Sequence, residues 1–259
     1  MKIVLVGAGN LATQLGKALD RKGHQILQVY SRTEASASSL ANMLHTKYTT
    51  SLLSLDNRAD IYIVALKDSV FSENVEQIVG NRKDALFVHT AGSLPMSVWS
   101  GHALHYGVLY PMQTFSKVRD VDFTAIPIFV ESNDKLDLLK SLALSLSSKV
   151  YEADSRQRVV LHLAAVFACN FTNYMYSVCE HMLDNAGLPF DVMLPLIDET
   201  AAKVHELMPS KAQTGPAVRY DENIISKHLD LLNQYPEWQK LYESISKNIH
   251  YDKLRFEQN

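Results

Sequence analysis

The sequence has little cysteine, little glycine and no long apolar run. Its two cysteines, Cys169 and Cys179, fall on one predicted helix about 15 Å apart at 1.5 Å rise per residue, which is too far for a disulfide. No stretch reaches the roughly 18 uninterrupted apolar residues of a membrane-spanning helix, because His162 and Asn170 interrupt the longest candidate, 159–171. The first residues, MKIVLVGAG, are typical of a strand rather than of a secretory signal. We therefore expect a soluble, cytoplasmic protein.

An excess of charge of either sign is missing as well. Lys and Arg number 25 against 28 Asp and Glu, which gives a formal net charge of −3. This balance gives no reason to expect a nucleic acid or a membrane as partner. Apolar residues make up 47% of the chain and charged residues 20%, as in a globular protein with a sizeable core. We expect no metal, because no cluster of Cys, His, Asp and Glu supports a metal site.

The first part of the chain alternates short apolar runs with helical patterns. Strand-like runs occur at 2–6, 25–30, 60–66, 85–89, 104–109, 126–130 and 149–151. Helical patterns lie at 11–19, 33–44, 69–79 and 133–146, with Asp68 and Ser132 as expected caps of the last two. Runs such as IVLV and IYIVAL are apolar throughout, as strands covered on both faces are. This predicts an α/β fold with a doubly wound, mostly parallel Rossmann sheet.

Strand patterns stop after residue 153. Residues 155–186 contain neither Pro nor Gly, and Gly187 follows where a helix would end. Further helices are predicted at 190–207, with a kink at Pro195, and at 221–233 and 236–249, with a loop at 209–216. We therefore predict a nucleotide-binding domain at 1–153 and an all-helical domain at 154–259.

A glycine-rich turn follows the first strand. The segment GAGNLA at 7–12 has the spacing G-x-G-x-x-G/A, comes after a strand and opens a helix. Gly7 permits a tight turn, and Gly9 lets the backbone approach a diphosphate that the N–H groups at the helix start would bind. The predicted cofactor-binding residues of this turn are Gly7, Ala8, Gly9, Asn10 and Leu11. An unliganded structural turn is the alternative.

The end of the second strand distinguishes the two nicotinamide dinucleotides. NAD enzymes usually have an acid there that binds the ribose 2′-hydroxyl, whereas this strand ends in VYSRT and the first acid, Glu34, comes too late. Ser31 and Arg32 offer a hydroxyl and a planar cation suited to a 2′-phosphate. We therefore predict NADP(H), bound at this end by Ser31, Arg32 and Thr33. A merely solvated Arg32 is the alternative.

Several later segments resemble one family group. They are HTAGS at 89–93, YPMQTF at 110–115, LAAVFACNF at 163–171 and QTGPAVR at 213–219. With the GAGNLA turn, they resemble bacterial Rossmann-like NADP oxidoreductases related to pyrroline-5-carboxylate reductase, ketopantoate reductase and the β-hydroxyacid dehydrogenases. The resemblance covers nearly the whole chain. It implies NADP(H), a helical C-terminal domain like that of 6-phosphogluconate dehydrogenase-like proteins and a homodimer through that domain, but no particular substrate.

Residues that follow two middle strands belong at the carboxyl edge of the sheet, where doubly wound folds bind ligands. We predict that the cofactor is contacted there by Ala65, Leu66, Thr90, Ala91 and Gly92. The hydroxyacid dehydrogenases contact the substrate carboxylate with a loop of this kind, which implies a catalytic-site role for Ser93. His89 is a candidate proton donor, because an unperturbed imidazole titrates near neutrality. A hydrogen-bonded structural histidine is the alternative.

The long predicted helix carries two more candidates. The hydroxyacid dehydrogenases have a Lys here with an Asn four residues later, whereas this chain keeps Asn170 but has Val166 at the Lys position. His162 lies one turn earlier on neighbouring parts of the same face and is a candidate replacement. We predict catalytic roles for His162 and Asn170, with a helix–helix hydrogen bond as the alternative for Asn170. The missing lysine argues against the hydroxyacid mechanism.

Two loops are candidates for substrate binding. Gln113 and Thr114 follow a further strand at the same edge, after Tyr110, which stands where many relatives have His. A phenol titrates near ~10 and is poorly suited to acid–base work at neutral pH. Thr214 and Arg219 flank a Gly-Pro turn, and in the resembling reductases such a loop completes the partner subunit's site. That analogy implies that they hold an anionic substrate; a structural turn is the alternative.

Taken together, these features predict an NADP(H)-dependent oxidoreductase that acts on a small, anionic metabolite. A carbonyl or imine would be reduced, or the reverse reaction would run, with the cofactor supplying the difficult chemistry. The rival hypothesis is an NADP(H)-binding sensor or partner module without turnover, which the missing lysine favours.

Overall fold

The computed structural model describes residues 1–257, and the chain divides into two compact units. The first unit is Met1–Phe171, and the second begins at Thr172. This division lies inside the long predicted helix. From the sequence we expected it before that helix, between residues 153 and 154. The reason is that the start of this helix packs into the first unit, where Arg158 is only 1% exposed.

One eight-stranded sheet forms the first unit. Its strands are β1 (Lys2–Val6), β2 (Gln25–Tyr30), β3 (Lys47–Thr49), β4 (Ile61–Val64), β5 (Leu86–His89), β6 (His105–Pro111), β7 (Ile128–Ser132) and β8 (Val150–Glu152). Their spatial order is β3-β2-β1-β4-β5-β6-β7-β8. Every neighbouring pair is parallel except β6 and β7. The predicted doubly wound, mostly parallel sheet is confirmed, and its strand order reverses between β1 and β4.

Helices cover both faces of this sheet. They are α1 (Asn10–Arg21), α2 (Glu34–Met43), α3 (Asp68–Val79) and α4 (Leu136–Leu146); α5 (Ser155–Ala165) follows the last strand and buries only Arg158. Because successive strand residues point to opposite faces, Ile3 and Leu5 enter one apolar core while Val4 and Val6 enter the other. Cover on both faces explains the continuously apolar strands, and it leaves the carboxyl ends of the strands as the open place for a ligand.

Three local predictions for this unit were wrong. Strand β3 was missed, because three largely exposed residues give no apolar pattern. Asp68 lies inside α3 behind the N-cap residue Lys67 and does not cap the helix. Ser132 ends β7 instead of capping α4 directly, although its hydroxyl accepts a hydrogen bond from the Lys135 N–H at 3.0 Å.

The second unit is helical, as predicted. Its helices are α6 (Thr172–Asn185), α7 (Leu194–Glu206), α8 (Pro209–Ala212), α9 (Pro216–Arg219), α10 (Glu222–Leu231) and α11 (Pro236–Glu257). Pro195 lies in the first turn of α7, where its missing N–H breaks no hydrogen bond, so the predicted kink is wrong. The predicted loop at 209–216 contains α8, and α11 continues beyond residue 249.

Between α5 and α6, residues Val166–Phe171 form a π-helical turn, so that one helix runs through Ser155–Asn185. Among the described helices, this one is long and apolar enough to cross a membrane by length and composition alone, with a mean hydropathy of 1.2. None of its apolar window is buried; Val160 is 66%, Leu163 56% and Phe167 61% exposed. A single such helix is weak evidence for a membrane, because helices that are covered in an assembly share these properties.

Candidate functional site

The glycine-rich turn has the geometry of a dinucleotide site. Gly7 has a φ of 130°, which side chains rarely allow, and a Cβ there would lie 2.4 Å from the Ala65 carbonyl oxygen. A Cβ on Gly9 would instead meet no atom within 4 Å, so this side of the turn is open. Helix α1 begins at Asn10 without a side-chain cap. Its first N–H groups are therefore available to an anion such as a diphosphate.

The residues that follow β4 and β5 lie beside this turn. The Ala65 N–H donates to the Val6 carbonyl at 2.8 Å, and the Thr90 N–H donates to the Val64 carbonyl at 3.1 Å. These bonds bring the predicted cofactor-binding segments after β4 and β5 to the edge that carries the glycine-rich turn. The segments contain Ala65, Leu66, Thr90, Ala91 and Gly92.

The end of β2 offers a cation. Ser31, Arg32 and Thr33 connect β2 to α2, and the Arg32 side chain is exposed. The next acid along the chain, Glu34, accepts a hydrogen bond from the Tyr48 hydroxyl at 2.9 Å. This carboxylate is therefore engaged with β3, and the ribose end of the site is left to Ser31 and Arg32. The arrangement fits a 2′-phosphate.

A cavity of about 590 Å³ opens at the same edge of the sheet. Leu11 of α1 lines it, together with Asp68, residues 90–93 after β5, residues 110–115 at the end of β6, and one face of the helix between 162 and 170. Besides Leu11, the structure thus brings eight of the predicted site residues of the first unit to one cavity. These are Thr90, Ala91, Gly92, Ser93, Gln113, Thr114, His162 and Asn170; their individual roles stay predictions.

His162 is held between two of these segments. Its Nδ1 lies 3.3 Å from the Tyr110 hydroxyl oxygen, and the two rings meet edge to face at 73°. On another side, a Cβ on Gly92 would lie 2.7 Å from the same Nδ1, so only glycine leaves room for the imidazole. Tyr110 is 8% exposed, and burial raises the pKa of its phenol. The phenol therefore keeps its proton at neutral pH.

The π-helical turn widens the helix face that lines the cavity. A π-turn closes i→i+5 hydrogen bonds and occurs mostly as a single turn at functional sites. Val166, Cys169 and Asn170 all line the cavity from this turn. Val166, which stands at the lysine position by sequence resemblance, thus lines the cavity. The Asn170 side chain is exposed at the cavity, where its amide is open to solvent or to a ligand.

Ser93 is paired with an acid that the sequence did not single out as a site residue. Its hydroxyl donates to a carboxylate oxygen of Asp68, in the first turn of α3. Both residues line the cavity, whose described lining contains this carboxylate and neither lysine nor arginine. The only sequence signal was the position of Asp68 directly after a strand at the carboxyl edge.

His89, in contrast, is a packed structural residue. Its side chain is 1% exposed and lies against the rings of Phe71 and Trp99, with centroids 5.6 Å and 6.4 Å away. Its Nδ1 accepts a hydrogen bond from the Ala91 N–H at 3.2 Å. Burial and, to a smaller extent, the charge of Arg158 lower the pKa of His89 to about 3. This geometry argues against the proton donor that we predicted and favours the structural alternative.

Arg158 was missed by sequence reasoning. It is buried in α5, where it forms a salt bridge with Glu131 of β7 and donates a hydrogen bond to the Leu94 carbonyl. Ser155 joins this network by donating to Glu131 and accepting from the Met96 N–H at 2.9 Å. The network fastens the start of α5 and the segment after β5 to the sheet. It thereby fixes two walls of the cavity.

The remaining predicted substrate residues belong to the second unit. Thr214 and Arg219 flank the turn at Gly215, which has a φ of 106°, and both side chains are exposed. Their role stays a prediction. Within residues 1–257, no group of three or more His, Cys, Asp or Glu side chains is arranged to hold a metal ion.

Comparison with known proteins identifies the family. Residues 2–92 match a family described as NADP oxidoreductase, coenzyme F420-dependent, and residues 126–249 match a domain of unknown function, DUF2520. A crystal structure of a putative NADP oxidoreductase from Bacteroides fragilis is 59% identical, covers 96% of this chain and 98% of its own, and has a TM-score of 0.93. The chain belongs to this NADP oxidoreductase family. Its cofactor is therefore NADP(H), as the Ser31-Arg32 strand end predicted.

More distant structures share the fold of this oxidoreductase. An imine reductase from Myxococcus stipitatus in complex with NADP⁺ is 14% identical over 97% of this chain and 92% of its own, with a TM-score of 0.66. A 1-pyrroline-5-carboxylate reductase from Streptococcus pyogenes is 14% identical over 97% and 98%, with a TM-score of 0.62. The predicted resemblance to the latter enzyme is confirmed at the level of the fold. No curated protein matches the chain.

Proposed function

We propose that this protein is an NADP(H)-dependent reductase of a small molecule that contains a C=N or C=O bond. The observation that carries the proposal is the cavity beside the glycine-rich turn, into which His162, Ser93 and Asn170 converge. The nicotinamide supplies hydride when NADP(H) is bound. Gly7, Gly9 and the start of α1 would hold its diphosphate, and Ser31 and Arg32 its 2′-phosphate.

In this proposal the protein's own groups bind the substrate and supply its proton. Ser93 and Asn170 offer a hydroxyl and an amide that orient the C=N or C=O bond by hydrogen bonding. His162, at the cavity surface, directs an N–H to the nitrogen or oxygen atom of that bond. Asp68 holds Ser93 in place. The NADP⁺-bound imine reductase and the pyrroline-5-carboxylate reductase named above share the fold, which supports a C=N bond over a C=O bond.

Within the part of the chain that the structure describes, the cavity itself supplies no fixed positive charge to a substrate. The described lining of the cavity contains the carboxylate of Asp68 but neither lysine nor arginine, so it offers no fixed cation to a carboxylate group. The anionic substrate that we predicted therefore depends on Thr214 and Arg219 of the second unit. Turnover of matched substrates with and without a carboxylate tests whether the substrate is anionic.

The test is consumption of NADPH with matched sets of cyclic imines, ketones and aldehydes, each with and without a carboxylate. We expect turnover with an imine, product formation by mass spectrometry, and a rate about 100-fold lower in His162→Asn. The control variant is His102→Asn, which removes an exposed imidazole outside the cavity. Full activity of His162→Asn would contradict the assigned role, and turnover restricted to ketones would contradict the preference for C=N.

The second candidate function is an NADP(H)-binding sensor or partner module. Val166 favours it, because the lysine of the resembling dehydrogenases is absent from the cavity. This candidate predicts NADPH binding with no turnover of any compound in the set. Slow consumption of NADPH at the same rate in His162→Asn and in the unmodified protein would also favour this second candidate.

A further inference from the structure

We propose that Tyr110 and His162 form a proton relay, in which the Tyr110 hydroxyl holds His162 as its Nε2–H tautomer and replaces the proton that His162 gives up. The tautomer is a property of the protein alone, whereas the relay rests on the proposed reductase function. Tyr110 acts through His162 and is therefore a positioning residue for the reaction.

Hydrogen-bond satisfaction selects the direction of the bond between the two side chains. Tyr110 is 8% exposed, and His162 is the one partner of its hydroxyl among the described residues. If Nδ1 of His162 carried the proton and donated, the phenol proton would have no acceptor among the described side chains and would depend on water in the cavity that Tyr110 lines. If the phenol donates, Nδ1 accepts and both groups are satisfied. The neutral imidazole then carries its proton on Nε2.

Two contacts flank the imidazole, although His162 as a residue is exposed on the side of the cavity. The backbone at Gly92 lies against the ring, since a Cβ there would come within 2.7 Å of Nδ1 and 2.8 Å of Cγ. The Tyr110 ring contacts the imidazole from the end of β6, with centroids 6.4 Å apart. With Nδ1 fixed by the phenol, Nε2 is the ring nitrogen left to a ligand in the cavity that His162 lines.

The proton balance of the relay closes with water as the final source of the proton. As hydride from NADPH reaches the carbon, the nitrogen or oxygen atom of the substrate gains electron density. The Nε2–H bond of His162 breaks and an N–H or O–H bond forms on the substrate. At the same time the Oη–H bond of Tyr110 breaks and an Nδ1–H bond forms on His162. The phenolate left on Tyr110 is a much weaker base than an alkoxide or an amide anion. After the product leaves, water protonates Nε2 of His162 and the Nδ1 proton returns to the Tyr110 oxygen, which restores the starting tautomer.

Arg158 supports this step from behind the pair. It is 1% exposed, and its positive charge opposes the effect of burial on the pKa of the Tyr110 phenol. Burial is the larger effect, so the phenol is protonated before the reaction, as the relay requires. The nearby cation then stabilises the phenolate that forms transiently.

The first experiment reads the tautomer without any substrate. Protein labelled with ring-¹⁵N histidine gives long-range ¹H–¹⁵N spectra that distinguish Nε2–H from Nδ1–H, and His162→Asn assigns the signal. We expect the Nε2–H form for His162 and a mixture of tautomers in Tyr110→Phe. The control is Tyr106→Phe, which removes a phenol hydroxyl from the same strand. An Nδ1–H tautomer in the unmodified protein would overturn the proposal.

The second experiment measures turnover with the imine found in the substrate tests. Tyr110→Phe should lower kcat about 10-fold while KM and the Kd for NADPH stay unchanged, whereas Tyr106→Phe should behave as the unmodified protein. The double variant Tyr110→Phe/His162→Asn should be no slower than His162→Asn, since Tyr110 acts through His162. Independent, multiplying effects would overturn the relay. An Nε2–H tautomer without turnover of any compound would instead defeat the reductase function and leave the tautomer assignment standing.

Discussion

At the end of β2, the exposed guanidinium of Arg32 is the group that we expect to distinguish NADPH from NADH. Only NADPH carries the 2′-phosphate that can bind it, so we expect NADPH to bind at least ~10-fold tighter, or about 1.4 kcal/mol. Arg32→Ala should weaken NADPH binding and leave NADH binding nearly unchanged. Fluorescence titration of both dinucleotides measures this difference. Arg156→Ala removes an exposed arginine from α5 and serves as the control; equal affinities in the unmodified protein would contradict the prediction.

His89 makes the stability of the first unit depend on pH. Its pKa is lowered to about 3 by burial, whereas an unfolded histidine titrates near 6.5. Below pH 6.5 the unfolded state therefore binds a proton that the folded state does not. Stability is fully present above pH 6.5 and falls as the pH decreases towards 3. A single histidine of this kind costs about 2 kcal/mol of unfolding free energy between pH 7 and pH 5.

Urea unfolding at several pH values tests this contribution. In His89→Asn, the asparagine oxygen can replace Nδ1 as acceptor for the Ala91 N–H, and the loss of unfolding free energy between pH 7 and pH 5 should become smaller by about 2 kcal/mol. The control is His102→Asn, whose slope should match that of the unmodified protein. An unchanged slope in His89→Asn would show that this imidazole titrates normally in the folded protein.

Single residues were predictable where a local pattern fixes their chemistry. Gly7 and Gly9 follow from the turn that they form, and Arg32 from the end of its strand. Arg158 is different, since an arginine in the first turns of a helix is usually solvated and its partner Glu131 lies 27 positions earlier in the chain. From the pKa of a free phenol, we judged Tyr110 poorly suited to acid–base work. That pKa gives no information on the imidazole of His162, which lies beside it. The surroundings of Arg158 and Tyr110 depend on contacts with residues that are distant in the sequence.

At the scale of one element, the junction between β1 and α1 makes a sharp test of the cofactor site. Gly9→Val places a branched side chain on the open side of the turn, where the diphosphate approaches, so NADPH binding should be lost. Folding should survive, because Gly9 has a φ of −78° and a Cβ there meets no atom within 4 Å. Calorimetric titration measures binding, and thermal unfolding measures stability.

The variant Gly9→Ala, with a smaller side chain than valine, tests whether the loss of NADPH binding increases with side-chain size. It should fold normally and bind NADPH more weakly than the unmodified protein but better than Gly9→Val. Normal NADPH binding by Gly9→Val would mean that the diphosphate is held elsewhere.

Helices and strands whose apolar residues recur at a regular spacing were predictable from the sequence, and elements without such a spacing were not. The alternation of apolar runs with helical patterns predicted seven of the strands, each within a few residues of its bounds. The π-helical turn at Val166–Phe171 has no signal in the sequence, because LAAVFACNF contains neither a helix breaker nor a polar interruption before Asn170. The choice between i→i+4 and i→i+5 hydrogen bonds depends on packing around the helix, which local sequence does not encode.

At the scale of the whole molecule, uncovered apolar surface predicts a second subunit. Besides Val160 and Leu163 of α5, the second unit exposes 61% of Leu196, 72% of Met208 and 73% of Leu231. Burial of a large apolar side chain contributes about 1.5–3 kcal/mol, so a stretch of such residues favours association. We expect a homodimer with two-fold symmetry, the commonest closed assembly. Light scattering should give close to twice 29.1 kDa at micromolar concentration.

Charge placed on this surface tests which face associates. The double variant Val160→Lys/Leu163→Lys should shift the protein towards monomer, since two cations would have to be buried in the interface. Leu53→Lys is the control, because this residue is 76% exposed and lies in the short segment before β4. A monomer in the unmodified protein at micromolar concentration would contradict the prediction.

The strand order also decides how the sheet can be assembled during translation. β1 is an interior strand, flanked by β2 and β4, and the strands from β5 to β8 then follow outward in the order in which they occur in the chain. At about 5–20 residues per second, the chain through the end of β4 is synthesised within roughly 3–13 s. From then on, each newly made strand has a finished neighbour waiting at one growing edge. The nascent chain therefore never has to open an existing pair of strands to admit a later one.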